Sequence, residues 1–501
     1  MNPAYGWVAI ATVALVTLSI GALGLRLSRT TSDFYVASRS VGPLWNASAI
    51  GGEYLSAASF LGAAGLILTF GVDMLWYPVG WTAGYLFLLV LVAAPLRRSG
   101  AYTIPDFAEA RLESRRVRQV ATTLVVVIGW LYQLPQFHAA GLTLATLTGA
   151  PRWIGEVLVA VVVILSVVFG GMRSITFVQA FQYWLKLSAL LVPMAFLLLV
   201  WDRDGGTLPD GTWTIPLGDG AGYQLYGTYS LIVATFLGTM GLPHVLVRFY
   251  TNPDGRAARR TTLIVLALLG LFYLLPTLYG VLGRRYASDL AVAGLSDTLV
   301  LELPGRMIGG VGGDLLGALV AGGAFAAFLS TSSGLTVSVA GVLSQDLLAR
   351  VMRPVSSFRV ACIVSVLVPL CAALLTSRLS VASSVSLAFA VAASTFCPLL
   401  VLGIWWPRLT SVGAIAGLAA GGICSGTAVL ATMLDSDRAG WSGALLSQPA
   451  AWSVPLGFAV MVVVSLATPH RVAPNVARTM VRLHTPEPVE VDRGTWRPSG
   501  T

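Results

Sequence analysis

The sequence predicts an all-α polytopic membrane protein built on an inverted repeat of helices, and three observations carry this prediction. Hydrophobic residues make up 56% of the 501 residues, whereas charged residues make up only 11%. A soluble domain carries about 25% charged residues, because its surface faces water. Long apolar stretches recur along the whole chain, and two of them are interrupted near the middle by glycine or proline. Lipid must therefore be the solvent for most of this chain.

The apolar stretches are long enough to be membrane spans, since a helix needs about 20 apolar residues to cross the hydrocarbon. Thirteen candidates cover residues 5–26, 43–70, 72–95, 118–147, 152–169, 176–201, 223–249, 260–283, 311–347, 358–377, 380–405, 411–434 and 450–468. The first is longer than a signal-peptide core, and its only flanking basic residues, Arg26 and Arg29, follow it. We therefore expect a retained first helix with its N-terminus outside.

The net charge of +9 has a topological explanation. On this map, 23 of the 31 basic residues fall in cytoplasmic segments, seven fall outside, and Lys186 lies within span six. Cytoplasmic loops of membrane proteins carry an excess of arginine and lysine. The bias supports this map and its orientation, so we expect a multi-pass protein of the cell inner membrane with its C-terminus in the cytoplasm, and nucleic acid is disfavoured as a partner. The tail after Pro469 is rich in proline, valine and charge, and we expect it to be a flexible cytoplasmic end.

Span two carries the first candidate site. Gly51 and Gly52 precede the acidic Glu53 at membrane depth, where irregular or charged segments survive only beside a cavity or inside protein. Glycine costs about 1 kcal/mol relative to alanine within a helix. We expect the helix to open here and to free carbonyl oxygens for a cation. The alternative is that small residues simply let neighbouring helices pack closely.

Span nine carries four consecutive hydroxyl groups, on Ser330, Thr331, Ser332 and Ser333. Some of these must face inward, because consecutive positions point to different sides of a helix. Two neighbouring hydroxyls and an upstream carbonyl can form half of a sodium shell. The alternative is that serine and threonine bond back to their own helix.

Span seven contains the third irregularity. Pro243 removes a backbone donor and disrupts the preceding turn, and Gly238 and Gly241 supply the slack for a break. His244 is either a polar group that changes its charge during function or a packed structural histidine.

Spans two and seven are five apart, and paired broken helices indicate an inverted-repeat transporter with its sites at the midplane. The predicted organisation is an N-terminal extra helix at 1–30, a first repeat (helices 2–6) at 31–205, a second repeat (helices 7–11) at 206–406, two C-terminal helices at 407–468 and a cytoplasmic tail at 469–501.

Polar and aromatic residues in other spans have roles that the sequence leaves open. Lys186 is the only lysine of the chain, and it either snorkels or pairs with a carboxylate. Gln133, Gln136 and His138 of span four are candidates to line a cavity. Trp81 and the neighbouring aromatic residues of span three suit either an interfacial belt or a substrate wall.

Four segments resemble the sodium:solute symporter family, and within it the bacterial cation/acetate symporters. They are GEYLSAASFLG at 52–62, FGGMRS at 169–174, GLPHVLVRFYT at 241–251 and AAFLSTSSGL at 326–335. The likeness runs from about Ser32 to Pro469. It implies the leucine-transporter-type fold, a five-plus-five inverted repeat with additional flanking helices.

The resemblance also implies a sodium site between the opened part of span two and span nine. Its ligands would be the carbonyl oxygens of Gly52, Leu55 and Ala327 and the hydroxyls of Ser330 and Thr331. Na+ is then the expected coupling ion, and no organic cofactor is expected.

The substrate is expected at the midplane beside the same breaks. The predicted substrate-binding residues are Glu53, Ser56, Ser59, Gln136, Thr239, Pro243 and His244. This chain resembles the acetate-type members, which have an acidic residue at the position of Glu53. Proline-type members instead have an aspartate where this chain has Tyr54. Sugar transporters of the family have polar residues where this chain has Ala58 and Ser59, so a sugar is disfavoured.

The sequence therefore predicts a sodium-coupled secondary active symporter that imports a small monocarboxylate such as acetate, propionate or pyruvate. An enzymatic role is not expected, because the spans show no nucleophile–base set and no metal-ligand cluster. Three alternatives stay open: a symporter of the same fold for proline or another small solute, coupling to protons, and a membrane solute sensor.

Overall fold

The computed structural model describes residues 3–24, 41–207, 222–349, 351–376, 381–434, 438 and 440–489. Within these ranges the protein is helical and has no β-strand, as predicted. The predicted boundary between the extra helix and the first repeat, at residues 30 and 31, lies outside the described residues. So do Arg26, Arg29 and Arg39 of the predicted topology.

The α-helices are α1 (Pro3–Gly24), α2 (Pro43–Tyr54), α3 (Ala63–Phe70), α4 (Trp76–Phe87), α5 (Ala93–Arg98), α6 (Ile104–Leu112), α7 (Arg115–Thr148), α8 (Arg152–Arg203), α9 (Gly222–Gly241), α10 (Pro243–Val247), α11 (Gly255–Tyr286), α12 (Ser288–Val292), α13 (Leu299–Met307), α14 (Gly310–Leu343), α15 (Pro354–Leu375), α16 (Val381–Trp405), α17 (Ser411–Leu434), α18 (Gly440–Ser447), α19 (Ala450–Ala467) and α20 (Val476–His484). Single turns of π-helix lie at Ala58–Gly62, Leu88–Val92 and Ser344–Leu348, and short 3-10 helices at Gly71–Leu75, Arg248–Thr251, Ser296–Thr298 and Pro469–Arg471.

Twelve helical segments of the described residues are long and apolar enough to cross a membrane, against thirteen predicted. The difference arises because α3, α4 and α5 count as one segment, Ala58–Arg98, of 41 residues. A straight helix of that length would measure about 60 Å, twice the hydrocarbon thickness. Gly71, at φ 79°, turns the chain between α3 and α4, so this segment makes two crossings.

The long helix α8 contains two apolar segments, Arg152–Gly170 and Ser174–Arg203, each long enough to cross a membrane. Ser166, before the junction, lies against Gly21 of α1. Ser174, after it, donates to the carbonyl of the same Gly21 at 3.2 Å. Residues on both sides of the junction therefore pack against the same residue of α1.

The break predicted in span two is observed between α2 and the π-turn that precedes α3. The α-helix ends at Tyr54, and Leu55 leaves it with φ −73° and ψ 83°. The backbone N–H of Ala57, which the break leaves without a helical partner, donates to Oε1 of Gln136 at 3.0 Å. A side chain of α7 therefore satisfies the opened backbone, as buried polar groups require.

The break predicted in span seven is observed at Leu242, which is extended at φ −75° and ψ 115°. Pro243 disfavours helical backbone in the residue before it and then begins α10 as its first residue. Span nine is different: α14 runs without a break past all four hydroxyl residues and widens into a π-turn only after Leu343. Of these three spans, only spans two and seven therefore open their backbone within the part of the chain that the structure describes.

The C-terminal tail was predicted to be flexible, but up to residue 489 it packs against the helical bundle. Helix α20 packs against α5 and α6. Arg98 of α5 pairs with Glu487 at 3.4 Å, and Glu487 also accepts from the backbone N–H of Gly255 at 2.7 Å. These contacts tie the end of the chain to the start of α11. Residues 490–501 of the predicted tail lie outside the described residues.

The interior of the bundle is formed by the most buried spans, α14 and α16. Helix α14 packs against α7 and α8, and α16 packs against α9 and α7. Small residues allow the close approach; Gly238 of α9, for example, faces the backbone of Phe389 in α16 so closely that an added methyl group would collide with it. Both broken helices are thus held against this interior.

Candidate functional site

The two helix breaks meet in the interior, and several hydrogen bonds join them. The amide of Asn46 in α2 donates to the carbonyl of Arg248 at 3.2 Å and accepts from Thr251 at 3.2 Å. At the end of α2, just before the break in span two, the Tyr54 hydroxyl lies 2.9 Å from that of Thr239 in α9. Helix α2, which ends at the break in span two, is therefore bonded to the segments on both sides of the break in span seven, and together they form one connected site.

A buried ion pair spans the two breaks. Nε of Arg248 lies 2.7 Å from Oε2 of Glu53, and each side chain is only 1% exposed. The guanidinium also donates to Thr176 at 2.8 Å and to the side-chain oxygen of Gln179. Glu53 was predicted to bind the substrate, but in the structure its carboxylate forms an ion pair with Arg248. Arg248 is one of the 23 basic residues that the predicted topology assigns to cytoplasmic segments, but its side chain is instead part of the interior.

The predicted sodium ligands surround the ammonium group of Lys186. Its Nζ lies 2.8 Å from the carbonyl oxygen of Leu55 and 2.6 Å from the hydroxyl of Ser330, and it also contacts the carbonyl oxygen of Gly52. Lys186 is completely buried. Three of the five predicted ligands thus contact an amine that the sequence placed in span six without a partner.

The other two predicted ligands lie beside this cluster. The hydroxyl of Ser330 lies 2.7 Å from the carbonyl oxygen of Gly52 and 3.0 Å from that of Ala327. Thr331 donates its hydroxyl to the carbonyl oxygen of Glu53 at 2.6 Å. The structure therefore brings the opened part of span two against the hydroxyls of α14, which is the juxtaposition that the sodium prediction requires.

An aromatic cluster lines the interior next to these residues, and Phe389 of α16 is its centre. The Phe389 ring lies 5.9 Å from Tyr132, 6.2 Å from Trp81 and 6.3 Å from Tyr54, centroid to centroid. Trp81 also stacks on Tyr273 at 5.7 Å. Trp81 is therefore buried in the interior and is not part of an interfacial belt; a role in a substrate wall stays a prediction.

Three buried side chains around this cluster carry polar hydrogens or lone pairs that have no hydrogen-bond partner among the described residues. They are Nε1 of Trp81, the hydroxyl of Tyr85 and both ring nitrogens of His244. His244 stacks on Tyr132 at 5.0 Å, and Tyr85 packs edge-on against Tyr54 at 4.9 Å. Buried polar groups are normally paired, so unpaired donors against one aromatic cluster indicate a place for a polar ligand.

The remaining predicted substrate residues are buried in the same region, but several use their polar groups within the protein. Ser59 bonds with Tyr273 at 2.8 Å, and Thr239 donates to Thr235 at 2.8 Å. Gln136 holds the opened backbone, as described above. Ser56 and Pro243 lie beside the two breaks and are buried. Their assignment to the substrate stays a prediction.

Two polar residues of α7 with open roles differ in their surroundings. Gln133 donates to the hydroxyl of Thr336 in α14 at 3.3 Å, so it links two interior helices. His138 bonds through Nε2 with the carbonyl oxygen of Ala373 in α15 at 2.9 Å. His138 therefore joins α7 to a peripheral helix and is not part of the aromatic cluster.

A second ion-pair cluster closes one end of the bundle. Arg118 of α7 lies 2.8 Å from Asp106, 2.7 Å from Glu109 and 2.7 Å from Asp346, and so connects α6 with the π-turn after α14. Burial raises the pKa of Asp106, and the nearby charge of Arg118 opposes this. Arg118 was counted as a loop charge, but its role here is to join elements.

The sequence prediction missed the residues whose partners are distant in the chain. Arg248, Gln179 and Lys186 enter the site through contacts with residues between 69 and 195 positions away. Phe389 and Tyr273 come from helices that looked uniformly apolar. The signal available was that Lys186 is a charge within an apolar span, a position that marks function by default.

The fold and the paired breaks define a membrane transporter of the inverted-repeat class. The model of the sodium:solute symporter family matches residues 34–421, so the chain belongs to this family. The uncharacterized symporter YwcA of Bacillus subtilis (strain 168) is 33% identical over 471 residues, which cover 88% of this chain and 90% of that protein. The family resemblance of the sequence is thereby confirmed.

Solved structures of transporters share the fold. A Na+-coupled sialic acid symporter in a substrate-bound, outward-open state gives a TM-score of 0.71 over 94% of this chain and 98% of that one. Mhp1, a nucleobase-cation-symport-1 family transporter, gives 0.54 over 91% and 99%. MhsT in complex with L-phenylalanine gives 0.52 over 84% and 98%. Each is 15% identical, so these likenesses establish the leucine-transporter-type fold alone.

Proposed function

We propose that this membrane protein is a secondary active symporter that couples sodium entry to the uptake of a small monocarboxylate such as acetate, propionate or pyruvate. The observation that carries the substrate class is the aromatic cluster around Phe389, with the unpaired polar groups of Trp81, Tyr85 and His244 beside it. Aromatic faces suit a short apolar tail, and N–H and O–H donors suit a carboxylate.

The buried charges agree with an anionic substrate. Glu53 and Arg248 compensate each other, and the ammonium of Lys186 remains as one positive charge where the breaks meet. Charged groups within the membrane are costly unless another charge balances them. One carboxylate entering this region would supply that balance, whereas a neutral sugar would not.

Family membership supports sodium as the coupling ion. We place the protein in the cytoplasmic (inner) membrane, with the N-terminus outside and the C-terminus in the cytoplasm, on the distribution of basic residues. We also propose that the repeats, residues 31–205 and 206–406, move against each other around the two breaks, as in alternating access. An enzymatic role is not proposed, because family relatives are transporters.

Uptake by purified protein in liposomes tests this function. We expect labelled acetate to accumulate when sodium is present outside only, and unlabelled propionate and pyruvate to compete with it better than proline or glucose. If uptake proceeds in sodium-free buffer and a protonophore abolishes it, the coupling ion is the proton and not sodium. If no short acid competes with any transported label, the substrate class is wrong, and binding without flux would indicate a solute sensor.

Replacing Phe389 by alanine is expected to raise the KM for the transported acid by about tenfold, the equivalent of about 1.4 kcal/mol, because the ring contacts three other aromatic residues of the cluster. Initial rates of uptake at varied substrate concentration measure the effect. Phe396→Ala is the matched control: Phe396 is equally buried, two turns along the same helix. Both variants lose core packing, so a KM change of the same size in both would contradict a substrate role for Phe389.

A further inference from the structure

The cation position predicted between span two and α14 already holds a cation that belongs to the chain. The ammonium group of Lys186 has three N–H donors, and three oxygen atoms surround it: the carbonyls of Gly52 and Leu55 and the hydroxyl of Ser330. Every donor therefore has an acceptor. The same carbonyl and hydroxyl oxygens are the hard ligands that an alkali cation would use.

The surrounding helices fix Lys186 in this position. Gly52 packs against the backbone of Gln179, so closely that a methyl group at Gly52 would overlap the Gln179 carbonyl. The side chain of Gln179 in turn donates to the carbonyl of Ser330 at 2.8 Å. Helix α8 is thus held against both α2 and α14, two turns before the point where Lys186 projects from it.

The charged groups near Lys186 can balance only one cation at this site. Glu53 of α2 is the acidic group near it, and Arg248 already pairs with that carboxylate. On the neighbouring helix α14 the only charged residue is Asp314, sixteen positions before Ser330 and about 24 Å away along the helix. In the protein without substrate, a sodium ion among these oxygens together with the ammonium would place two positive charges side by side, and Glu53, the acidic group near them, already pairs with Arg248.

We propose that the Lys186 ammonium and a sodium ion are alternative occupants of this one site, so that sodium enters it only when the lysine side chain withdraws. The chain thus carries a tethered substitute for the ion. This inference deepens the proposed symport and rests on it for the identity of the competing ion, but sodium binding tests it without any transported substrate.

Binding of radiolabelled sodium to the purified full-length protein is the test. We expect Lys186→Met and Lys186→Gln to bind sodium at least about tenfold more tightly than the unmodified protein, because the competing ammonium is gone. Adding Ser330→Ala to either variant is expected to abolish the gain. Lys186→Arg keeps a positive charge and is expected to gain no sodium affinity. One of the two neutral variants is sufficient for this test, provided that it elutes as a single species on size exclusion and is therefore folded.

The outcomes separate this inference from the proposed function. Sodium bound by the neutral variants only, and not by the unmodified protein, supports the inference and overturns sodium as the coupling ion. Equal affinity in all three proteins, or weaker binding in both neutral variants, overturns the inference and leaves sodium-coupled uptake standing. A gain in affinity that persists after Ser330→Ala also overturns it, because the ion then binds elsewhere.

The unmodified protein offers a second measurement, because Lys186 is the only lysine in the chain. An amine-reactive reagent can then label only Lys186 and the N-terminal amine, and mass spectrometry of the peptides distinguishes the two. If sodium displaces the ammonium from its three oxygens, saturating sodium should increase the rate of Lys186 labelling several-fold over potassium. Sodium binding with an unchanged labelling rate would overturn the inference.

Discussion

Replacing Arg248 by methionine is expected to destabilise the protein by about 3–5 kcal/mol, because it leaves the Glu53 carboxylate buried without its partner. The pair joins the segments beside both breaks, and neither side chain is more than 1% exposed. We therefore expect transport to be lost as well. Chemical denaturation in mixed micelles measures the free energy of unfolding, and vesicle uptake measures the activity.

Two further variants show whether charge is the cause. Glu53→Gln in the Arg248→Met background removes the unpaired charge and is expected to recover at least about half of the lost stability. Arg306→Met is the surface control: Arg306 pairs with Asp289 at 2.6 Å and Glu302 at 2.9 Å but is 30% exposed. Exposed ion pairs contribute about 0–1 kcal/mol. A loss in Arg248→Met no larger than in this control would contradict the assigned role of the buried pair.

Features that depend on short stretches of chain could be predicted from the sequence. The break in span two lies at Leu55, two residues after the Gly-Gly-Glu run, and the break in span seven lies at Leu242, directly before Pro243. Glycine and proline change the local backbone energy wherever they stand. Their positions therefore located the opened helices, and with them the region of the site.

Features that depend on which side chain reaches across the bundle could not be predicted. Gln136 is polar and interior, so it was a reasonable substrate ligand, yet its amide satisfies the N–H of Ala57 that the break itself frees. Lys186 was placed at the right depth without a partner. Its three acceptors come from α14 and from the backbone of span two, and only the packing of α8 between them determines that contact.

The hydroxyl run of α14 shows a third kind of limit. Both interpretations of it are true in part: the hydroxyl of Ser330 bonds back to the carbonyl of Ala327 at 3.0 Å, while Ser330 and Thr331 also bond to carbonyls of span two. Sequence spacing placed four polar residues on consecutive positions of the helix, but it did not tell which of them face the opposing carbonyls. That depends on the rotation of α14, which the packing of its neighbours determines.

Replacing Gly52 by alanine is expected to impair folding and transport severely, although alanine is the better helix former by about 1 kcal/mol. The added methyl group would overlap the backbone carbonyl of Gln179 in α8, and backbone cannot rotate away as a side chain can. Helix α2 would have to move off α8. The Gly52 carbonyl, which accepts a hydrogen bond from the Lys186 ammonium in the present structure, would then shift away from it.

Gly341→Ala is the matched control, because Gly341 lies within α14 and has no neighbouring atom within 4 Å of an added methyl group. Helix propensity alone predicts that both substitutions stabilise the protein. Close packing predicts instead that Gly52→Ala lowers the stability, whereas Gly341→Ala does not. We expect the thermal unfolding midpoint to fall in Gly52→Ala and to stay level or rise in Gly341→Ala. If both midpoints rise, the approach of α2 to α8 is looser than described, and the position of Lys186 between them would no longer follow from packing.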